Sequence, residues 1–406
     1  MIPMLLNRER AEERMAEERL EALVATSPAN VFYASDCYPY GASFALLPLD
    51  RGVEPAMVTS ISGSTPVALM SPPWFGDVRY YGEFYVETGF SKEPLSEAER
   101  AVIRAHESWE EGRPSDPVAI LLGLLEERGL TRGSIGVDES GLGQGNPLWK
   151  RAEEELPNTE LVPAKKVFTE IRMVKTAEEV RRIGEATRMT ERAWEAALGE
   201  ARLGITEREF ADAWQRTIIS EGGLSNAYLG AYWPPVAFGR RTAFSDIAKP
   251  SDYRLREGDI IRFDGGATYM GYPCDMARAA VLGRADEKLK RYWRALWEGE
   301  QEAVSMARPG AVASEIFEAA VSRVRRGGIG HYRRHHTGHG WGLEGYDPPT
   351  IGPRDGTALE EGMVLCFETP YYEVGWGGLL HEDVVVVGEK GPRYLSTPED
   401  ELRVVG

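Results

Sequence analysis

The chain has 406 residues, 42% of them hydrophobic, with 64 acidic against 47 basic side chains and a formal charge of −17. That length exceeds what one core comfortably holds and predicts two domains, while the acidic balance argues against a nucleic-acid partner, which demands a basic face. The apolar run from Met1 to Leu6 is too short for a signal peptide and no later run reaches membrane-spanning length, so the expectation is a cytoplasmic protein with no membrane partner.

A charged, periodic stretch from Arg8 to Ala22 predicts a first amphipathic helix, with Met15 and Leu20 among its few apolar positions. Leu23 to Thr26 reads as a short strand, and Pro28 starts a turn or short helix. Strands are expected at 43–49 and 54–59, joined by a turn at Asp50-Arg51-Gly52. The aromatic segment 74–84 has no clear period, and 84–88 is a further candidate strand. Pro117 to Glu127 predicts a helix stopped by Arg128-Gly129, and Ile135 to Val137 a strand. This mixture makes residues 1–160 an α/β domain.

The polar, proline-bearing passage 157–163 is the candidate domain boundary. Thr176 and Glu179 have the spacing of a helix start with reciprocal capping, and helical patterns follow over 177–199 and 206–221. Strands are expected at 235–238, 260–264 and 275–281, helices at 286–307 and 312–325, and strands again at 363–368 and 382–387. Residues 165–406 therefore read as an α+β domain whose helices are segregated from a strand-built centre. The cysteines, Cys37, Cys274 and Cys366, are too few and too scattered for a disulfide framework.

Chemistry concentrates in this second domain. The chain has six histidines, yet His331, His335, His336 and His339 crowd into one short stretch, and His381 stands beside Glu382. Imidazole is both a metal ligand and an acid or base near neutral pH. Asp264 ends a predicted strand, and Asp275 lies across a glycine-bearing hairpin that brings both to one sheet face. Glu368 follows an apolar strand and Glu382 opens another. Each alone has a simpler reading: a turn cap for Asp264, a partner of Arg278 or Arg262 for Asp275, surface charges for the glutamates, a core histidine for His339. Together they are harder to dismiss, because buried carboxylates repel one another unless cations or protons compensate them. Four carboxylates and one histidine make an oxygen-rich site suited to paired divalent ions such as Mn, Co, Fe or Zn.

Asp264-Gly265-Gly266 with Gly271-Tyr272 and Asp275, Gly338-His339-Gly340 with Gly342 and Pro349, Gly362-Met363-Val364 leading to Glu368-Thr369-Pro370, and Glu382-Asp383 together resemble the pita-bread-fold metallopeptidases. That group comprises Xaa-Pro dipeptidase, aminopeptidase P and methionine aminopeptidase, with metal-free creatinase as a relative. Glu170-Ile171-Arg172, with Lys175 and Glu178-Glu179, resembles the segment leading into its catalytic domain. The resemblance implies an α/β creatinase-like N-terminal domain over 1–160 and an α+β pita-bread catalytic domain over 165–406. It implies two divalent metal ions, Mn or Co first with Zn or Fe as alternatives, a small peptide or amide substrate with an Xaa-Pro dipeptide as first choice, and a homodimer.

By the same resemblance Asp264 is the bidentate ligand of one metal, Asp275 and Glu382 bridge both, and His339 and Glu368 ligate the second. Glu368 is also the base that takes a proton from the attacking water, and His335 is a substrate contact. Three positions depart from the family pattern. Tyr346 stands seven residues after the ligand histidine where the peptidases have histidine, Asp246 occupies another histidine position, and Leu380 replaces the arginine that prolidases carry two residues before the last glutamate. Tyr346 retains a hydroxyl able to donate to a tetrahedral intermediate, and Arg240, Arg241, Arg333 and Arg334 are candidates for the lost carboxylate anchor. These departures keep two alternatives open: a non-peptidase relative acting on another small amide, amidine or sulfonium compound, and an inactive binding or scaffold protein. The intact ligand set counts against the second.

Overall fold

The structure, a computed structural model, describes residues 4–87, 92–107, 115–138, 147–225, 234–244 and 249–406. It divides into two compact units, Met1–Arg172 and Met173–Gly406. No helix among the described residues is long and apolar enough to cross a membrane.

In the first unit the strands are β1 (Leu20–Ala25), β2 (Phe44–Pro48), β3 (Ala56–Ser60), β4 (Asp77–Tyr81), β5 (Gly133–Val137) and β6 (Thr159–Pro163). They form a mixed sheet in the order β4-β3-β2-β1-β5-β6. Its helices are α1 (Arg8–Glu17), α2 (Pro28–Ser35), α3 (Glu97–Glu107), α4 (Pro117–Glu127), α5 (Pro147–Glu155) and α6 (Lys165–Met173). Leu121, Leu124 and Leu125 of α4 and Trp149 of α5 pack on Val24, Val58, Ile135 and Val137 of the sheet, and each such burial contributes roughly 1.5–3 kcal/mol.

Two expectations are corrected here. The first helix ends at Glu17 rather than Ala22, because Arg19 adopts a left-handed conformation at φ 58 that breaks it and feeds Leu20 into β1. Residues 84–87 form no strand, and residue 88 lies outside the described residues. Within the candidate boundary passage 157–163, Thr159–Pro163 pairs in parallel with β5 as the edge strand of the first unit, which extends to Arg172.

The second unit contains α7 (Ala177–Gly199), α8 (Glu207–Ser220), α9 (Glu287–Ser305) and α10 (Ala313–Arg326). Its strands are β7 (Leu224–Ser225), β8 (Val236–Phe238), β9 (Ile260–Gly265), β10 (Ala267–Tyr269), β11 (Tyr272–Pro273), β12 (Met276–Leu282), β13 (Gly338–Gly342), β14 (Gly345–Thr350), β15 (Val364–Glu368), β16 (Tyr371–Glu373), β17 (Gly377–Leu379), β18 (Glu382–Gly388), β19 (Gly391–Tyr394) and β20 (Arg403–Val405). The main sheet runs β14-β13-β15-β18-β12-β9-β8, with β19 added to β18 and β20 to β12.

Two helix pairs cover one face of this sheet. Trp194 of α7 and Trp214 of α8 enclose Phe263, with Phe210 edge-on to Phe238. Trp293, Leu296 and Val304 of α9 and Phe317 and Val324 of α10 share a core with Leu365, Phe367, Val385 and Val387. Side chains alternate along a strand, so turning Phe263 and Phe367 into the helices sends Asp264 and Glu368 to the opposite face. The apolar pattern thus aims the carboxylates.

Helix α7 begins with the expected capping box: Thr176 accepts from the Glu179 backbone, and Glu179 accepts from Thr176 N at 2.8 Å. Glu179 is buried and also accepts from Tyr272 Oη at 3.0 Å. Burial pushes its carboxyl up from 4.5 to about 7, against the pull of Lys175. The folded chain therefore holds a proton the unfolded chain has released, a stabilisation complete below pH 4.5 and lost as pH rises through about 7. Thermal denaturation is expected to show wild type losing up to about 3 kcal/mol more than Glu179→Gln between pH 5 and 8. Parallel pH slopes for the two proteins would contradict this assignment.

Candidate metal centre

Asp264 and Glu382 lie opposite the same residue, Ala277, on the two edges of β12, and Glu368 lies opposite Glu382 between β15 and β18. Residues in register share a sheet face, so three carboxylates form one row across the sheet. Asp275, two residues before Ala277, joins that face. His339 arrives from β13, paired with Cys366 of β15. Its Nε2 stands 3.9 Å from Asp275 Oδ2 and 3.7 Å from Glu382 Oε1, and these three residues can offer ligand atoms within 4.8 Å of one another.

The glycines flanking His339 explain why β13 approaches so closely. A Cβ on Gly338, which sits at φ +147, would meet Cys366 O at 2.4 Å, and one on Gly340 would meet Pro348 O at 2.4 Å. Any larger residue would push β13 away from β15 or β14. Trp341 is fully buried, donates from Nε1 to Pro273 O at 2.6 Å and thereby ties β13 to the hairpin before Asp275. Its ring lies 5.5 Å from that of His339. The half-exposed Tyr346 stacks on the imidazole at 3.7 Å, its ring 6.1 Å from that of Trp341, and its neighbour Asp347 is held by a buried ion pair to Lys175 Nζ at 3.0 Å.

The electrostatics are those of a site awaiting positive charge. Burial, then Asp275, Glu368 and Asp264, push the Glu382 carboxyl well above its ordinary range. Burial pushes His339 down to about 4, which keeps a neutral imidazole and a ligand lone pair near neutral pH. Its Nε2 has no hydrogen-bond partner among the described residues although it is buried. Burial works to raise Glu368, but His336, His339 and Arg334 outweigh it and hold the carboxyl below its usual range. An unpartnered imidazole nitrogen between two buried carboxylates fits divalent cations, which would neutralise the repulsion that burial magnifies. Asp275, Glu382 and His339, with Asp264 and Glu368 beside them, would hold them.

The remaining expected residues separate. His336 is the histidine nearest Glu368, with Nδ1 2.9 Å from Oε1, whereas His335 is exposed and edge-on to the His336 ring at 4.1 Å. Two adjacent histidines carry no periodicity that tells which one faces inward. His331 bonds Tyr371 Oη at 3.0 Å. His381 turns to the helix side, 4.9 Å from the Trp293 ring, and burial pushes it down to about 3. Asp246 lies outside the described residues. Among the four arginines, Arg334 comes within 4.0 Å of Glu368 Oε2 and lies over the Tyr372 ring at 5.8 Å. Arg240 and Arg333 are exposed, and Arg241 is engaged by Glu207 at 2.9 Å. Arg262 reaches Asp264 at 3.7 Å and Arg278 reaches Asp383.

Comparison with known proteins points the same way. Over 236 residues the chain is 34% identical to the Xaa-Pro dipeptidase of Pyrococcus furiosus and 33% identical to that of Pyrococcus horikoshii; each match covers 58% of this chain and 66% of the relative. The dipeptidase structure of P. horikoshii OT3 superimposes with a TM-score of 0.74 at 25% identity, covering 98% of this chain and 99% of that one. The X-Pro aminopeptidase of Thermotoga maritima MSB8 superimposes equally well, with a TM-score of 0.74 over 98% and 99%, but at 23% identity supports the fold alone. The pattern characteristic of metallopeptidase family M24 matches residues 181–389. That span runs from α7 through β18 and takes in every carboxylate of the row as well as His339, so the chain belongs to metallopeptidase family M24.

Proposed function

We propose that the chain is a two-metal peptidase that cleaves Xaa-Pro dipeptides. The observation that carries this reading is the cluster of Asp275, His339 and Glu382, with Asp264 and Glu368 in register beside it on an M24 fold. The named activity of the two Pyrococcus relatives supports the substrate class.

In this reading Asp264, Asp275, His339, Glu368 and Glu382 hold two divalent ions, Mn or Co before Zn or Fe. Such ions, when bound, supply Lewis-acid polarisation of the scissile carbonyl and acidify a water molecule. Glu368, kept ionised by His336 and Arg334, takes a proton from the attacking water and delivers it to the departing proline nitrogen. The Tyr346 hydroxyl donates to the oxyanion as it forms, and His335 at the exposed rim contacts the substrate. Arg334 serves the terminal carboxylate in place of the arginine missing at Leu380.

The family resemblance supports a homodimer, with exposed Tyr40, Leu69, Met70, Phe84 and Tyr85 on the first unit as its candidate contacts. Three free, buried cysteines are in keeping with a cytoplasmic setting.

Elemental analysis of protein purified without chelator, combined with Xaa-Pro dipeptide hydrolysis after Mn or Co addition, tests this function. About two metals per chain with proline release are expected. Two metals without turnover would favour the second reading, a non-peptidase hydrolase of a small amide or related compound, for which Tyr346 over His339 is the supporting observation. A chain that takes up no divalent metal would refute the two-metal peptidase.

A further inference from the structure

The main sheet has a seam at the metal centre. Strand β12 pairs with β9 through six residues, from Met276↔Gly265 to Val281↔Ile260, and β15 pairs with β18 through five. Between β12, which Asp275 immediately precedes, and β18, which opens with Glu382, the register consists of one pair, Ala277↔Glu382. Beyond it β18 diverges, and β20 takes over the same edge of β12 from Ala280 to Leu282.

Arg278 fills the gap. Its Nη1 donates to Ala277 O at 2.9 Å and Glu382 O at 2.6 Å, the carbonyls of the single register pair. Its Nη2 donates to Asp383 Oδ1 at 2.5 Å and Thr397 O at 2.8 Å. Ser396 Oγ supports the same Asp383 oxygen at 2.7 Å. Arg278 and Asp383 are both buried, and strand alternation turns them to the helix side, away from the carboxylate row.

Stability alone is a poor reason to bury this pair, because apolar residues of similar size often do as well or better. What a guanidinium adds is a rigid fork that can fix several acceptors at once, which an ammonium cannot reproduce. We propose that Arg278, held by Asp383, is a positioning residue of the metal centre: it replaces missing ladder bonds from behind and fixes Glu382 on β18 against Asp275 at the entry to β12. The proposal rests on the two-metal reading above. Arg278 meets neither substrate nor metal in this role; it acts through the backbone of Glu382.

The test compares wild type, Arg278→Lys and Asp383→Asn after chelator treatment. Circular dichroism reports the fold, calorimetric titration the Mn2+ affinity, and visible absorption of the Co2+-loaded protein the ligand geometry. The variants are expected to stay folded, to bind Mn2+ about 10–100-fold more weakly, and to give an altered Co2+ spectrum, which a merely structural role would leave unchanged. Folded variants with wild-type affinity and spectrum would overturn the proposal while leaving the two-metal reading intact. A wild type that binds no Mn2+ or Co2+ would overturn both. If neither variant folds, Ser396→Ala, which removes one bond to Asp383, decides by the same two readouts: a weaker affinity and shifted spectrum support the proposal, and no change overturns it.

Discussion

Replacing Glu382 by glutamine is expected to have two opposite effects. Affinity for divalent metal should fall by more than the roughly 10–100-fold that outer-shell changes cost, because Glu382 lies within reach of both His339 and Asp275. Dipeptide hydrolysis should fall with it. Stripped of metal, however, the variant should melt higher than stripped wild type at pH 8. The wild-type carboxyl is raised well above its ordinary range by burial and three nearby carboxylates, so its stabilising protonated form is lost as pH rises through that raised value, and glutamine removes the charge. One kcal/mol of relief corresponds to about 2–4 °C for a unit of this size. Scanning calorimetry of both proteins with and without chelator checks the pair of effects. A variant that binds metal normally, or melts lower than wild type in the stripped state, would contradict the assignment.

Glu368→Gln should lower kcat by about 10²–10⁴-fold, the range associated with removing a general base. Two measurements separate base from ligand. If Glu368 acts as base, kcat falls even at metal concentrations that restore full occupancy by elemental analysis; if it serves only as a ligand, saturating metal restores turnover. More than a tenth of wild-type kcat in the fully loaded variant would eliminate the base role. His336, 2.9 Å from the same carboxylate, gives a control: His336→Ala leaves the carboxylate present and should cost less than Glu368→Gln.

Much of the second unit was legible because its elements announce themselves locally. Helix α7 combines a capping box with a long amphipathic repeat, β15 is an apolar run ending in a carboxylate, and β9 is apolar up to Asp264 apart from Arg262. The hairpin after β9 was the sign that Asp264 and Asp275 share a face, whereas the shared face of Asp264 and Glu368 follows from the strand register. Strand β13 was not legible, since Gly338, Gly340 and Gly342 read as loop; the reason for the first two is the approach of Cys366 O and Pro348 O, and for the third that of the Asp347 side chain, contacts made only once β13 lies between β14 and β15. In the first unit, α1 was drawn too long because a left-handed Arg19 has no sequence signature as glycine would. Passage 157–163 looked like a domain boundary because an edge strand tolerates proline and polar residues. The choice of His336 over His335 beside Glu368, and of Asp383 rather than Asp275 as the partner of Arg278, depends on which faces meet after folding. Neither adjacency nor spacing encodes that.

Trp341 carries a consequence of another kind. Its indole is sealed from solvent, pinned by the bond to Pro273 O, and set 5.5 Å from the imidazole of His339. An open-shell cation arriving at that imidazole would drain the excited state of this indole, while a closed-shell ion such as Zn2+ would leave it bright. The protein thus contains its own lamp beside the metal centre, by which filling could be watched without any substrate.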